Sequence, residues 1–452
     1  MDWSALRREF PVTSRVFTSP VTGERHGLVY LDHAASTQPH QSVLDAVMDF
    51  MSTGYANVHR AHHYLSDEAS ARYEGARARL RAFLGDPHAR GGEIIFSGNT
   101  TGALNLASHL VRDEPGLVLV TALEHHSNDL PHRAANNVLR ARCLRDGSLD
   151  LADVERKLRS APVKLLAVTG ASNVTGVTPP IYDLARLAHE HGARILVDCA
   201  QRFAHAPIDV KAPGHPEHLD FVAAAGHKAY APFGSSILYA PHDLIEKAAP
   251  REPGGGTVSY VGPDEVGWTR GVHRHESGTP NAAGAVAFAT AAELLSRIGM
   301  EEVQRHEQQL LARMMAGLTS IPGVRILGPE RPQDRIGVVS FLIEGVDHGL
   351  AAMVLNHEYG VATRSGCFCA HPYLVQLLDV KDTAAVRERL LAGGKGSEGI
   401  PGAVRASLGL YNNEGDVDRF LEGVRATASG KLRGKYHRDP SRGWTAEACG
   451  HF

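Results

Sequence analysis

The sequence predicts an α/β protein, with a large domain built on a mostly parallel sheet flanked by helices and a smaller α+β domain beside it. Two patterns and one dimension predict this. Between Leu28 and Tyr239 short apolar runs alternate with helical patterns, the signature of βαβ units. After about Ala283 that alternation stops and longer helical patterns take over. The chain's 452 residues are enough for one large domain and one smaller one.

In chain order, Glu93-Ile-Ile-Phe96, Leu117-Val-Leu-Val120, Lys164-Leu-Leu-Ala-Val168, Ile195-Leu-Val197 and Phe221-Val-Ala-Ala224 read as short buried strands. Helical segments lie between them, such as Ile181–Glu190, closed by Gly192. A long helical pattern from Ala285 to Leu318 leads into the strand-like Val338-Val-Ser-Phe-Leu-Ile343 and a final helix near Asp416–Ala428. Residues 384–402 read as a short helix followed by a glycine-rich surface insertion. The domain division drawn from this pattern is 20–285 for the large domain, and 1–19 with 286–452 for the small one. There is no internal repeat.

A hydrophobic content of 43% and a charged content of 21% are those of a soluble globular protein. The formal net charge of −3 argues against a nucleic-acid binder, which would carry a basic face. The locally basic stretch from Lys431 to Arg442 reads as solvated or partly disordered. No apolar run approaches the roughly 20 residues that cross a bilayer, and the charged first ten residues do not resemble a signal peptide. Five scattered cysteines make no disulfide framework. A cytoplasmic protein with neither membrane nor nucleic-acid partners is expected.

Asp198 ends one apolar run, and Lys228 follows another thirty positions later in Gly226-His-Lys228. Ligands of such sheets bind outside the carboxyl ends of the strands. Pyridoxal 5′-phosphate needs an amine for its aldehyde and a carboxylate to keep its pyridine nitrogen protonated. Ser97-Gly-Asn-Thr-Thr-Gly102 joins a strand to a helix, where the N–H groups and the Thr100 and Thr101 hydroxyls suit a phosphate; a plain threonine N-cap fits the same residues. His125, at another strand end, suits ring stacking or an ordinary hydrogen bond. Asn173, at a third, suits donation to a phenolate oxygen or a turn.

Taken together, these ordered motifs resemble the class V (fold-type I) pyridoxal-phosphate-dependent aminotransferase family, and within it the cysteine desulfurase and selenocysteine lyase branch. The match runs from Tyr30-Leu-Asp-His-Ala-Ala-Ser36 to Val404-Arg-Ala-Ser-Leu-Gly-Leu-Tyr-Asn412. The resemblance implies that Lys228 carries the Schiff base and Asp198 pairs with the pyridine nitrogen. Gln201 and Asn173 would face the ring oxygen, and His125 would stack on the ring. Thr100, Thr101 and His227 would hold the phosphate, and Thr279 of Glu276-Ser-Gly-Thr-Pro-Asn281 would reach the phosphate of a neighbouring subunit. A homodimer follows. Ala225 stands where relatives usually carry a phosphate-binding serine, so one hydrogen bond worth roughly 1.5–3 kcal/mol is expected to be missing.

On the substrate side, the resemblance makes Arg405 the receiver of the amino-acid carboxylate, a role suited to its bidentate fork. Arg364 and Cys369 lie in Thr363-Arg-Ser-Gly-Cys-Phe-Cys-Ala-His371, and Cys369 maps to the nucleophile that takes sulfur from cysteine and leaves alanine. A protein sulfur acceptor is an implied partner. Gly-Cys-Phe-Cys is also similar to the aminotransferase-like domain of molybdenum cofactor sulfurases. The wider family includes C–S lyases, epimerases, aminotransferases and selenocysteine lyases that act without a catalytic thiol. His59, in His59-Arg-Ala-His-His63, resembles the active-site entrance and is a candidate substrate-side residue. No metal site is expected, because the cluster has no carboxylate or cysteine near it in sequence.

Overall fold

The computed structural model describes residues 1–59, 61–391, 401–439 and 443–447. Its centre is a seven-stranded sheet of β1 (Gly92–Ser97), β2 (Leu117–Thr121), β3 (Val138–Ala141), β4 (Val163–Thr169), β5 (Arg194–Asp198), β6 (Phe221–Ala225) and β7 (Ser236–Pro241). The spatial order is β1-β7-β6-β5-β4-β2-β3. Strands β3, β2, β4, β5 and β6 pair in parallel, and only β7 runs against both its neighbours.

Both faces of this sheet are covered, so its strands are apolar on both sides. Leu119, Leu166, Ile195, Val197 and Val222 face one core. Val118, Leu165, Leu196, Phe221 and Leu238 face the other. Burying each such side chain is worth about 1.5–3 kcal/mol, which drives short runs with no polar alternation into the sheet centre. Helices α1 (Tyr64–Phe83), α2 (Thr100–Leu110) and α3 (His126–Ala135) belong to this unit.

A second core lies over a four-stranded antiparallel sheet of β8 (Val324–Ile326), β9 (Val338–Ile343), β10 (Arg364–Gly366) and β11 (Ala403–Ser407), ordered β8-β9-β11-β10. The continuous helical pattern expected from Ala285 to Leu318 is two helices, α4 (Ala282–Ile298) and α5 (Met300–Thr319). They break at Gly299, whose φ of +88° only glycine adopts without strain. The small-domain core then takes its apolar side chains from α5, α6 (His348–Tyr359) and α7 (Glu414–Ala428). The glycine-rich part of the insertion, residues 392–400, lies outside the described residues.

The basic stretch after Gly430 is not a solvated tail over its described residues. Tyr436–Asp439 pairs with Gly443–Ala446 as an antiparallel hairpin. The fully buried Glu358 of α6 accepts the N–H of Arg433 at 3.0 Å, the N–H of Gly434 at 2.9 Å and the Tyr436 hydroxyl at 2.9 Å. Arg433 lies beside this acid, which is distant in sequence, so the local charge of the stretch does not announce the contact. Among the described residues no helix is long and apolar enough to cross a membrane.

Candidate active site

A cavity of about 290 Å³ opens at the carboxyl ends of β4, β5 and β6. It is lined by Thr100, Thr101, His125, Asn173, Asp198, Gln201, His227, Lys228, Arg364, Cys369 and Arg405. Eleven residues proposed from sequence therefore meet in one place, although they span more than three hundred positions. Register explains part of this convergence. Asp198 ends β5 opposite Thr169 of β4 and Ala223 of β6, and Lys228 follows β6 on a single 3-10 turn.

Burial dominates the electrostatics. Desolvation pulls the Lys228 ammonium down to about 8, opposed by Asp198 and reinforced by Arg405. Asp198 is pushed up by its own burial and held back by the Ala200 N–H and by Lys228. The Ala200 N–H donates to its carboxylate at 3.0 Å. A cation next to Asp198 would favour the ionised form. His125 is pulled down to about 3 by burial and nearby cations, so its ring is neutral at physiological pH. Its Nδ1 accepts the Ser127 N–H at 3.1 Å and caps α3; the same residue serves both readings offered by its sequence position.

Threonine does not cap α2. Asn99 does, accepting the Gly102 N–H at 2.9 Å, which leaves Thr100 and Thr101 as the first residues of the helix with their N–H groups facing its open end. Thr101 shares a 2.8 Å hydroxyl contact with Ser127. Ser236, opposite Ala225 in the β6–β7 register, sends its hydroxyl to Thr100 at 3.4 Å. His227 Nδ1 and Gln201 Oε1 are buried without a partner, while Gln201 Nε2 donates to the Ala34 carbonyl at 2.7 Å.

The substrate side holds a residue the sequence reading passed over. Asp32, at the end of the Tyr30-Leu-Asp segment, accepts from Arg405 Nη2 at 3.0 Å and lies 3.7 Å from Arg364 Nη1. Arg364 and Arg405 face each other across β10 and β11, so one carboxylate orients both. The Tyr30–Ser36 motif was visible, but nothing local reveals a partner 373 positions away. Arg405 also donates to the Asn173 carbonyl at 3.0 Å, lies 4.8 Å from the Phe368 ring centroid and keeps a buried, unpartnered Nε.

Asn173 donates its side-chain amide to the Phe368 carbonyl at 2.7 Å, so in this structure it fastens the cysteine loop, with its second amide hydrogen left for another acceptor. Phe368 and Cys369 have φ of +55° and +54°, a left-handed conformation that costs about 1–3 kcal/mol each. The Asn173 bond, and the His126 N–H donated to the Cys369 carbonyl at 2.8 Å, hold that turn. Cys369 is exposed and Cys367 half-buried; burial pushes the Cys367 thiol up. His371 packs edge-on against His126, with centroids 4.7 Å apart.

Two expected residues stand elsewhere. Thr279 lines a separate cavity of about 250 Å³ with Tyr73, Arg251 and Glu276. His59 lies against Tyr73, with ring centroids 5.8 Å apart, on that same side, and does not line the Lys228 cavity.

The sequence matches the Aminotransferase class-V family over residues 29–420. The chain belongs to the class-V aminotransferase family. A probable cysteine desulfurase of Halalkalibacterium halodurans is 35% identical to this class-V protein, covering 94% of this chain and 98% of its own. A cysteine desulfurase of Cronobacter sakazakii is likewise 35% identical, over 93% and 96%. Among solved structures, the apo cysteine desulfurase of Thermococcus onnurineus NA1 superposes with a TM-score of 0.80 at 30% identity, over 94% of this chain and 98% of that one. The S-sulfonic acid form of the Escherichia coli cysteine desulfurase CsdA gives 0.78 at 28% identity, over 96% and 99%.

The donor set fits the cofactor of this class. A buried carboxylate, a buried amine and a neutral ring surround the cavity, with hydroxyls and N–H groups at a helix start. The buried, unpartnered His227 Nδ1 could donate to a phosphate oxygen of a bound pyridoxal 5′-phosphate, and Gln201 Nε2, which spends one hydrogen on the Ala34 carbonyl, keeps a second for its ring oxygen.

Proposed function

We propose that this protein is a cysteine desulfurase that uses pyridoxal 5′-phosphate, converting L-cysteine to L-alanine and leaving a persulfide on Cys369. The observation that carries this reading is that the Cys369 thiol, on a strained loop, lines the same cavity as Lys228, Asp198 and Arg405. The names of the relatives support it.

When bound, the cofactor supplies an aldehyde for amines and a ring that takes up electrons from the substrate α-carbon. Lys228 provides the resident amine, and with its pKa near 8 an appreciable neutral fraction is present at neutral pH to act as nucleophile and to carry a proton at Nζ. Asp198 would hold the pyridine nitrogen, the neutral His125 ring would stack on the cofactor, and Gln201 with Asn173 would donate to its ring oxygen. Thr100, Thr101 and His227 would hold the phosphate. Arg405 takes the substrate carboxylate, with Asp32 fixing its plane and Arg364 assisting at the mouth. The Cys369 thiolate then bonds to the substrate sulfur. The substrate carbon–sulfur bond breaks, and its electron pair stays on carbon, which gains a proton and departs as alanine. Because Cys369 is exposed, its persulfide is accessible to a protein sulfur acceptor.

The working form is a homodimer with shared sites. Thr279 stays out of its own chain's Lys228 cavity and would complete the site of a second copy.

Quantifying alanine, sulfide and pyruvate after incubation with L-cysteine tests the assignment. Alanine without matching pyruvate is expected. Pyruvate and sulfide in equal amounts, without alanine, would make the protein a C–S lyase instead.

A further inference from the structure

The His59 cluster lacks acidic neighbours in sequence, but the fold supplies one. Glu74 of α1 places Oε1 3.1 Å from His59 Nε2. His273, from the 3-10 turn Gly271–His275, packs against His59 with ring centroids 4.9 Å apart. One ligand atom from each of the three residues lies within 4.8 Å of the other two. We propose that His59, Glu74 and His273 form a binding site for a divalent transition-metal ion of the zinc class.

Three features carry this beyond a chance cluster. His59 is held at φ +65°, outside the ordinary range for a side chain of this kind, with its N–H given to Ser70 Oγ at 2.8 Å. Such strain persists only where its surroundings impose it. Glu74 is also held in place by Arg77, whose Nε donates to Oε2 at 2.8 Å and whose Nη2 donates to Oε1 at 3.2 Å, which leaves a lone pair of Oε1 for an ion and fixes the carboxylate as a metal-binding group requires. Charge is the third. Glu276 grips Arg77 with two bonds of 2.7 and 3.0 Å, so the Arg77–Glu276–Glu74 group carries one net negative charge, on the side facing the two imidazoles.

Two histidines and one carboxylate form a donor set that zinc-class ions favour, with a further position left for water. His59 Nε2 and Glu74 Oε1, 3.1 Å apart, are already close enough to share an ion that holds its ligands at about 2.0–2.2 Å, so His273 is the ligand that would have to draw in. The neighbouring His63 is not a ligand: its Nδ1 caps α1 at the Ser66 N–H, 3.2 Å away. A bound ion would tie α1 to the segment that runs on to Glu276 and Thr279.

The test uses the full-length, cofactor-loaded protein freed of metal, with Co²⁺ as probe. One Co²⁺ per chain is expected, with the intense visible bands of a four- or five-coordinate ion, displaced by Zn²⁺. His273→Ala should weaken binding by about 100-fold or more while leaving the metal-free melting temperature in place. His273→Cys should restore binding and add a sulfur-to-metal charge-transfer band. Wild type and His273→Ala binding Co²⁺ alike, or a wild type with no such spectrum, would overturn the site.

Discussion

Cys367 and Cys369 differ in environment although one residue separates them. Cys369 lines the cavity and is exposed, whereas Cys367 is half-buried with its thiol pushed up by burial. Since the thiolate is the nucleophile, Cys369→Ser is expected to abolish alanine and persulfide formation while cofactor absorbance stays unchanged. Cys367→Ser should retain the first half-reaction. Alanine formed by Cys369→Ser at the wild-type rate would end the thiol mechanism. Asp32 acts one step away from the substrate, by orienting Arg405 and Arg364. Asp32→Asn keeps the shape and removes the charge, so KM for cysteine should rise by about tenfold, equivalent to ~1.4 kcal/mol, with a smaller change in kcat. An equal fall in kcat at constant KM would assign Asp32 to the chemical step instead.

Among the elements, the hairpin of Tyr436–Asp439 and Gly443–Ala446 hangs on one side chain. Glu358 satisfies two backbone donors and a tyrosine hydroxyl while itself fully buried. Removing an acceptor that serves several buried donors costs their desolvation as well as the bonds. Glu358→Ala should therefore destabilise the protein by ~3 kcal/mol and expose the chain after Gly430 to proteolysis, with Glu358→Gln intermediate. Thermal unfolding and limited proteolysis read the two effects separately. Unchanged protease resistance in Glu358→Ala would show that strand pairing alone holds the hairpin. The cysteine loop follows the same logic in reverse: strain at Phe368 and Cys369 is held by Asn173 and the His126 N–H.

The whole molecule carries buried histidines that respond to pH together. Burial pulls His33 down to about 3 and His132 to about 4. Both are neutral in the folded and unfolded states above the ordinary histidine value of about 6.5. Below it the unfolded chain binds protons first, so stability falls as pH drops from about 6.5 and stops falling once the folded form also protonates. The urea midpoint should therefore decrease between about pH 7 and about pH 5. A flat midpoint would show that these sites open to water without unfolding. The proposed shared-site dimer makes a separate demand: on dilution, loss of dimer mass and loss of cofactor should run together. A monomer holding pyridoxal 5′-phosphate with full affinity would refute it.

The sequence by itself determined the class of the fold, the family and most of the cavity lining, because each depends on local pattern. Apolar runs place strands in the sheet centre, and the polar residues that end them, Asp198, Asn173 and Lys228, fall at one edge by topology. Only the tertiary structure decided how those residues are paired. Asp32 with the two arginines, Asn173 with Phe368, Glu358 with the basic stretch and Glu74 with His59 and His273 all join segments whose spacing carries no periodic signal. The same holds for Thr279, whose motif named a ligand but not the cavity it lines. A strand announces itself through its own residues. A contact is a property of two distant segments, and only packing brings them within reach of a hydrogen bond or a charge.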